Sequence, residues 1–233
     1  MQSRQDIKLQ KAIAILTGLS RRQAEAEIVA GKVKVNDKPA KIGQRVTLNK
    51  DKIEFKNEVI TQTKELIYLI IYKPIGVITS RKDELGRKII MDLVPQKYQH
   101  LFPVGRLDYE SEGLVLLTND GDLAYKLTHP KFEVEKVYEV KPDRKLTSAA
   151  FSHLKKGMFV GKYQVVPTSL RRLPDGWLEI VITSGQKHVV RKLFKHAGYE
   201  VEVLKRIKLG PFLLDNLRPG KYELVEFNQK TPL

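Results

Sequence analysis

The hydrophobic and polar positions along the chain form two successive patterns. The first 60 residues combine apolar positions at helical spacing with one short alternating stretch. Beyond residue 65 the chain changes to apolar runs of strand length, separated by turn residues. This change predicts a small helix-rich domain over residues 1–60 and a larger domain over residues 65–233. The polar, unpatterned residues 57–65 are predicted to link them.

The small domain is predicted to be two helices followed by a hairpin. The first helix should end at Gly18, and the second should open with a capping box formed by Ser20 and Gln23. Valines alternate with lysines in the KVKV segment that follows, and Asn36 and Asp37 supply a turn. The apolar side chains at helical spacing in the first helix are Leu9, Ala12, Ile13 and Leu16.

The larger domain is predicted to be rich in strands. A continuous apolar run over residues 66–72 is typical of a strand buried on both faces. Few helices accompany the strands, which predicts an α+β fold with a mostly antiparallel or mixed β-sheet. Helices are expected at residues 122–128 and 185–198, and further strands at residues 114–118, 136–142, 177–183, 201–210 and 222–227.

Composition narrows the classes of function. The 233 residues carry a formal net charge of +15 and no cysteine. The lack of cysteine excludes disulfides, cysteine-ligated metals and a thiol nucleophile. The N-terminus lacks the apolar run of a signal peptide, and no stretch is apolar for the length of a bilayer. We therefore expect a cytoplasmic protein with no membrane partner, whose positive charge points to nucleic acid.

The strongest local feature of the small domain is a pair of arginines at the start of its second helix. Arg21 and Arg22 follow the predicted cap at a helix N-terminus, where exposed backbone N–H groups already favour anions. A bound phosphate would offset the unfavourable placement of two cations there. The alternative is a solvated basic face without a ligand.

The segment GRLDYESEG, residues 105–113, is the strongest candidate for chemistry in the larger domain. Asp108 could simply fix a turn between its two flanking glycines. It could also join a metal site, although the spacing of the nearby carboxylates does not match an EF-hand loop. A glycosidase would need a second carboxylate, for which Glu110 and Glu112 are available. The residues alone leave these alternatives open.

Two resemblances bear on this choice. The segment LQKAIAILTGLSRRQAEAEIVAGKVKVNDKPAKIGQRV resembles the alpha-L RNA-binding module of a small-subunit ribosomal protein. The segment GRLDYESEGLVLLTNDGDLAYKLTHP resembles the signature of the pseudouridine synthases that modify ribosomal RNA. YKPIGVITS resembles the first motif of that family, KVYEV its tyrosine motif and ITSGQKHVVRKLFKHAG its arginine-bearing helix. Within the family, the resemblance is closest to the type B enzymes that modify large-subunit RNA.

The resemblance implies a set of catalytic residues. Asp108 would be the catalytic aspartate, and Arg191 would pair with it. Tyr138 would stack on the flipped base. Isomerising uridine neither gains nor loses an atom, so no cofactor and no metal are expected.

The resemblance also implies residues that bind RNA. Arg106 would help to extrude the target uridine, and Lys73 and Pro74 would shape the pocket. Lys187, on the polar side of the arginine-bearing helix, joins Arg21 and Arg22 as an expected RNA contact. One departure concerns the same helix, where Val189 replaces the family's usual glutamine and Lys192 and Leu193 replace arginine and methionine.

The expected function is therefore the isomerisation of a specific uridine to pseudouridine in ribosomal RNA. The large-subunit RNA is the expected substrate. The alternatives are the same chemistry on small-subunit RNA, or a non-catalytic RNA-binding factor in ribosome assembly. The expected partner is ribosomal RNA or a pre-ribosomal particle, bound by a monomer.

Overall fold

A computed structural model describes residues 6–48, 50–60 and 65–228. The chain divides into two compact units, Met1–Leu66 and Ile67–Leu233. The linker predicted over residues 57–65 is wrong at its start, because Glu58–Val59 is a strand that pairs with Ile53–Phe55. The part of the predicted linker at residues 61–64 lies outside the described residues.

The N-terminal unit contains the two predicted helices and the predicted hairpin. Gly18, in the left-handed region at φ 79°, ends the first helix, and the Ser20–Gln23 capping box opens the second. Asn36 and Asp37 both have positive φ, the geometry of a tight hairpin turn. The elements are β1 (Asp6–Lys8), α1 (Leu9–Thr17), α2 (Arg21–Val29), β2 (Val33–Val35), β3 (Lys38–Pro39), β4 (Arg45–Thr47), β5 (Ile53–Phe55) and β6 (Glu58–Val59).

A single small core holds the N-terminal unit together. The predicted apolar face of α1 is buried, and Leu9, Ala12 and Ile13 are fully inaccessible to solvent. They pack with residues of α2 and of the short strands. The polar face of α2 is left exposed, including Arg21 and Arg22.

The C-terminal unit is built on one large sheet. The strands of the unit are β7 (Tyr68–Lys73), β8 (Phe102–Val104), β9 (Glu112–Thr118), β10 (Lys136–Pro142), β11 (Met158–Val160), β12 (Tyr163–Val165), β13 (Ser169–Arg172), β14 (Leu178–Ile182), β15 (Val201–Leu209), β16 (Phe212–Leu213) and β17 (Tyr222–Leu224). Strands β11 and β12 pair with each other in a separate two-stranded sheet. Its α-helices are α3 (Gly121–Thr128), α4 (Ser148–Lys156) and α5 (Val189–His196). Short 3-10 turns lie at Ile90–Leu93, Gln96–Tyr98, Pro130–Phe132 and Pro174–Gly176.

The sheet is mixed, with one parallel contact at its centre. Within residues 65–228 it has nine strands, seven of them in the order β13-β14-β10-β15-β9-β7-β17. β8 pairs with β9, and β16 pairs with β15. Strands β9 and β15 are parallel, whereas the other pairs are antiparallel. The predicted α+β class with a mostly antiparallel or mixed sheet is confirmed.

Both faces of the sheet are covered, which explains the continuous apolar run of β7. Leu69 and Ile71 point into a core that includes residues of α4 and α5. Tyr68, Ile70 and Tyr72 point into a second core on the other face, which includes residues of α3. All six residues of β7 are buried.

Some predicted elements are shorter than expected. The helix predicted over residues 185–198 begins only at Val189, because His188 adopts a left-handed conformation. The last predicted strand is limited to Tyr222–Leu224. Helix α4 has no counterpart in the sequence-based prediction. In the parts of the chain that the structure describes, we find no helix with the length and apolar character needed to cross a membrane.

Candidate active site

Asp108 lies in a tight loop between two strands that are neighbours in the sheet. The loop starts after β8 and ends where β9 begins, and Gly105 and Gly113 both have positive φ. At Gly113 an added Cβ would lie 2.3 Å from the carbonyl oxygen of Arg206. Glycine is needed there because β9 and β15 approach closely at this point.

Hydrogen bonds to its backbone hold the Asp108 loop in place. The hydroxyl of Thr79 donates to the carbonyl of Leu107 at 2.9 Å and accepts from its N–H at 3.2 Å. The N–H of Gly76 donates to the carbonyl of Tyr109 at 3.0 Å. The segment that follows Lys73 and Pro74 therefore supports the Asp108 loop. Nothing in the sequence indicated this role for Thr79.

Within residues 65–228, no ion pair joins Arg191 to Asp108, and the pairing implied by the resemblance stays a prediction. Nη1 of Arg191 donates to the carbonyl of Val201 at 2.6 Å, and its Nη2 donates to the carbonyl of Glu110 at 2.9 Å. Arg191 projects from α5 and joins the Asp108 loop to the start of β15. Both of these acceptors are backbone carbonyls.

Within residues 65–228, the imidazole of His188 contacts the carboxylate of Asp108. Its Nε2 lies 3.2 Å from Oδ1 of Asp108, and both side chains are partly exposed. The left-handed turn at His188, which shortens α5, directs the imidazole to the carboxylate. Because the sequence pattern extended the helix through residue 188, it gave no indication of this contact.

A cavity of about 240 Å³ opens in front of Asp108. Four of the predicted site residues line it: Arg106, Asp108, Tyr138 and Lys187. Val189, where the family usually has glutamine, lines it as well. Lys73 and Arg191 lie outside the lining.

Lys73 is completely buried beneath the loop. Its Nζ donates to the carbonyl of Pro74 at 2.9 Å. Burial lowers the pKa of Lys73 to about 8, and the nearby carboxylates of Asp108 and Glu112 oppose this decrease. Lys73 thus contributes positive potential near Asp108 without reaching the cavity.

Sequence reasoning missed two basic residues in the cavity, Lys136 and Arg206. Both are more than nine-tenths buried. Lys136 precedes Tyr138 by two residues on β10, and Arg206 lies opposite Tyr138 on β15. Both residues lie within strands whose sequences gave no indication of a site. Only the pairing of β10 with β15, which are distant in the chain, brings them together.

The predicted RNA contacts of the N-terminal unit lie in a basic environment of their own. Arg21 lines a shallow cavity of about 310 Å³ with Lys8, Lys11 and Arg45. Arg45 also forms an ion pair with Asp6, at 2.6 Å. Arg22 is exposed beside Arg21 at the start of α2.

Comparisons with known proteins agree with these features. Residues 67–196 match the RNA pseudouridylate synthase family, and residues 7–51 match the S4 domain. A Bacillus subtilis (strain 168) protein named ribosomal large subunit pseudouridine synthase B is 37% identical over 91% of this chain and 89% of its own length. A Pseudomonas aeruginosa protein with the same name is 34% identical over 92% of this chain and 58% of its own length.

One solved structure extends the likeness to three dimensions. It is described as a crystal structure of a pseudouridylate synthase, with 31% identity, a TM-score of 0.68 and coverage of 94% of this chain and 96% of its own. The family match spans more than half of the chain, and the resemblance stated from the sequence is confirmed. The chain belongs to the RNA pseudouridylate synthase family and carries an S4 domain at its N-terminal end.

Proposed function

We propose that this protein converts a specific uridine of ribosomal RNA to pseudouridine, with Asp108 as the catalytic group. The observation that supports this most is the position of Asp108, at the edge of a small cavity that also contains Tyr138. A single carboxylate and an aromatic ring beside a space of this size suit a reaction on one extruded base.

The reaction requires little besides a carboxylate and a closed space. The bond from N1 of uracil to C1′ of the sugar breaks, the base turns, and C5 bonds to the same carbon. Asp108 can attack the sugar as a nucleophile or remove its 2′ proton as a base. In both cases the ionised carboxylate is the active form, and the buried ammonium group of Lys73 contributes positive potential beside it.

The other cavity residues hold the RNA and the base. Tyr138 offers a ring on which the detached uracil can stack while it turns. Arg106, two residues before Asp108 in the loop, would occupy the space that the extruded uridine leaves, which would offset an unstacking cost of about a few kcal/mol. Lys187 would contact the RNA backbone at the rim.

Arg191 takes a positioning role in this proposal. By binding the carbonyl of Glu110 it fixes the loop two residues after Asp108. Arg21 and Arg22 would bind phosphates through the N-terminal unit, at the start of α2.

The proposed substrate is the large-subunit ribosomal RNA. This choice rests on the names of the Bacillus subtilis and Pseudomonas aeruginosa relatives. The same chemistry on small-subunit RNA would leave the cavity unchanged and is distinguished by the modified position alone. We further propose that the protein acts in the cytoplasm, as a monomer.

The replacement Asp108→Asn tests the proposal. It removes the charge and keeps the shape, so we expect normal folding and RNA binding but no detectable pseudouridine formation. Pseudouridine positions would be mapped in ribosomal RNA from cells that lack the gene, and from the same cells supplied with the wild-type or a variant copy. Asp215→Asn is the matched control, because Asp215 is exposed and lies outside the cavity. Full modification by Asp108→Asn would contradict a catalytic role, and an unchanged map without the gene would favour a non-catalytic assembly factor.

A further inference from the structure

Two buried cations form one wall of the cavity in front of Asp108. Lys136 is 8% exposed and Arg206 is 3% exposed, and both line the cavity together with Asp108 and Tyr138. They project from neighbouring antiparallel strands, β10 and β15. Buried charges in proteins are usually paired with an opposite charge, so two like charges in one small space call for an explanation.

Neither cation has a carboxylate partner within residues 65–228. Lys136 donates to the carbonyls of Val134, at 2.8 Å, and Thr183, at 2.9 Å. An ammonium group has three N–H donors, so one remains available. Arg206 donates through Nε to the carbonyl of Leu114 at 2.8 Å, and its buried Nη2 has no hydrogen-bond partner.

The two cations destabilise each other. Burial lowers the pKa of Lys136 to about 8, and the charge of Arg206 contributes to this decrease. Lys136 is therefore charged at neutral pH only at a cost. An electronegative group entering the cavity would reduce that cost. This behaviour is expected of a binding site for such a group.

The location of the pair favours the base over a phosphate. Arg206 lies opposite Tyr138 across the two strands, and Lys136 lies two residues before Tyr138 on the same face of β10. Both cations are therefore immediate neighbours of the ring on which the base is proposed to stack. A phosphate remains on the RNA backbone outside the cavity, whereas an extruded uracil brings two carbonyl oxygens, O2 and O4, inside.

We propose that Lys136 and Arg206 bind the carbonyl oxygens of the target uracil and stabilise the negative charge of the detached base. This inference rests on the proposed function. When the N1–C1′ bond breaks, its electron pair stays on N1 and the charge spreads to O2 and O4. C5 then bonds to C1′, the hydrogen on C5 leaves as a proton, and N1 takes up a proton. The cations are most useful between these two bond changes, when the base carries its full charge.

The same arrangement selects uracil over cytosine. Uracil presents an acceptor oxygen at both C2 and C4, whereas cytosine replaces the second with an amino group that donates. A buried cation facing that amino group would lose its partner. Sites that hydrogen-bond a substrate in this way reject the wrong analogue strongly.

Neutral and conservative replacements of Lys136 test the inference. We expect Lys136→Gln to lower the single-turnover rate of pseudouridine formation by about 10²–10³-fold, the effect of losing one donor to a developing anion. The dissociation constant for the RNA should change less than about twofold, because most of the affinity comes from phosphate contacts outside the cavity. Lys141→Gln is the matched control, since Lys141 lies on the same strand outside the cavity. Arg206→Lys should retain more activity than Arg206→Gln.

The pH dependence separates a catalytic role from a structural one. Lys136 loses its charge as the pH rises through its pKa of about 8, so the wild-type rate should fall above that pH. Lys136→Arg keeps its charge and should retain a larger fraction of its neutral rate at pH 9. The other ionisable groups around the cavity, which are common to both proteins, are Arg106, Asp108, Tyr138, Lys187, His188 and Arg206, with Lys73 behind the loop.

Each result decides the question. An active wild-type protein with an unaffected Lys136→Gln variant would overturn the inference alone. A wild-type protein that modifies no ribosomal uridine would overturn the proposed function and the inference with it. If Lys136→Gln fails to fold, the profile of Lys136→Arg decides, and a profile identical to the wild type would overturn a role for the lysine charge.

Discussion

Three basic side chains act on Asp108 or on its loop, each in a different way. His188 touches the carboxylate, Lys73 acts through the field of a buried charge, and Arg191 holds the backbone of the loop. The sequence identified Asp108 and Arg191 as a pair because the resemblance supplied both. It could not show which acceptor the guanidinium would choose, since the carbonyls of Glu110 and Val201 come within its reach only when distant segments pack.

The role of Arg191 can be measured with a double-mutant cycle. We expect Arg191→Gln to lower the free energy of unfolding by about 1–3 kcal/mol, because two carbonyls lose their donors. It should also lower the single-turnover rate, by up to about 10²-fold, because Asp108 is no longer held in position. RNA affinity should stay within about twofold, since the contacts to phosphate remain.

The cycle is completed by Asp108→Asn and the double variant in urea unfolding. Without a direct ion pair, the two changes in unfolding free energy should add to within about 0.5 kcal/mol. A coupling energy well above that value would restore the Arg191–Asp108 pair that the resemblance implied.

Secondary structure was predictable where its causes are local. The capping box of α2, the Gly18 end of α1 and the hairpin turn at Asn36 and Asp37 depend on neighbouring residues, and all three are present. The start of α5 was not predictable, because the left-handed turn at His188 has no local sequence cause. The meeting of β9 and β15 depends on residues about 90 positions apart, so the close approach at Gly113 appears only in the fold.

Gly113 is expected to be the least replaceable glycine of the C-terminal unit. An alanine there would place its Cβ 2.3 Å from the carbonyl oxygen of Arg206, at a φ of 108°. We expect Gly113→Ala to lower the unfolding free energy by more than about 3 kcal/mol, since both backbone strain and a clash with a neighbouring strand contribute. Urea unfolding followed by circular dichroism measures the change.

Gly198→Ala is the control for strain without a clash. Gly198 also has positive φ, at 83°, but no atom lies within 4 Å of an added Cβ. Its replacement should cost about 1–2 kcal/mol, the penalty of a left-handed conformation alone. Equal losses in the two variants would mean that β9 and β15 can separate at Gly113, contrary to their close packing in the sheet.

The whole molecule combines a positive charge of +15 with two units that each contain a basic cavity. This charge was readable from composition, and by itself it indicated a nucleic-acid partner. Composition could not assign the charge to sites. In the C-terminal unit the structure separates cations that line the cavity, such as Arg206, from Lys73, which is buried behind it.

The contribution of the N-terminal unit to binding should appear in the salt dependence. RNA affinity is expected to fall steeply between about 50 and 200 mM salt, as counterions compete for the phosphates. If Arg21 and Arg22 each bind a phosphate, the double variant Arg21→Gln/Arg22→Gln should reduce the slope of log K against log salt by about 1.4–1.8. The rate of the chemical step at saturating RNA should stay unchanged, because both residues belong to the RNA-binding unit and not to the cavity that holds Asp108.

A second double variant distinguishes local contacts from total charge. Lys38→Gln/Lys41→Gln also removes two positive charges, but from exposed positions of the N-terminal unit outside the basic cavity. Filter-binding titrations at four or five salt concentrations would give the slope for each protein. A large decrease for the arginine variant and a small one for the lysine variant would mean that the start of α2 contacts the RNA. Equal decreases would contradict this, because affinity would then follow the overall charge of the unit and no phosphate site at α2 would be needed.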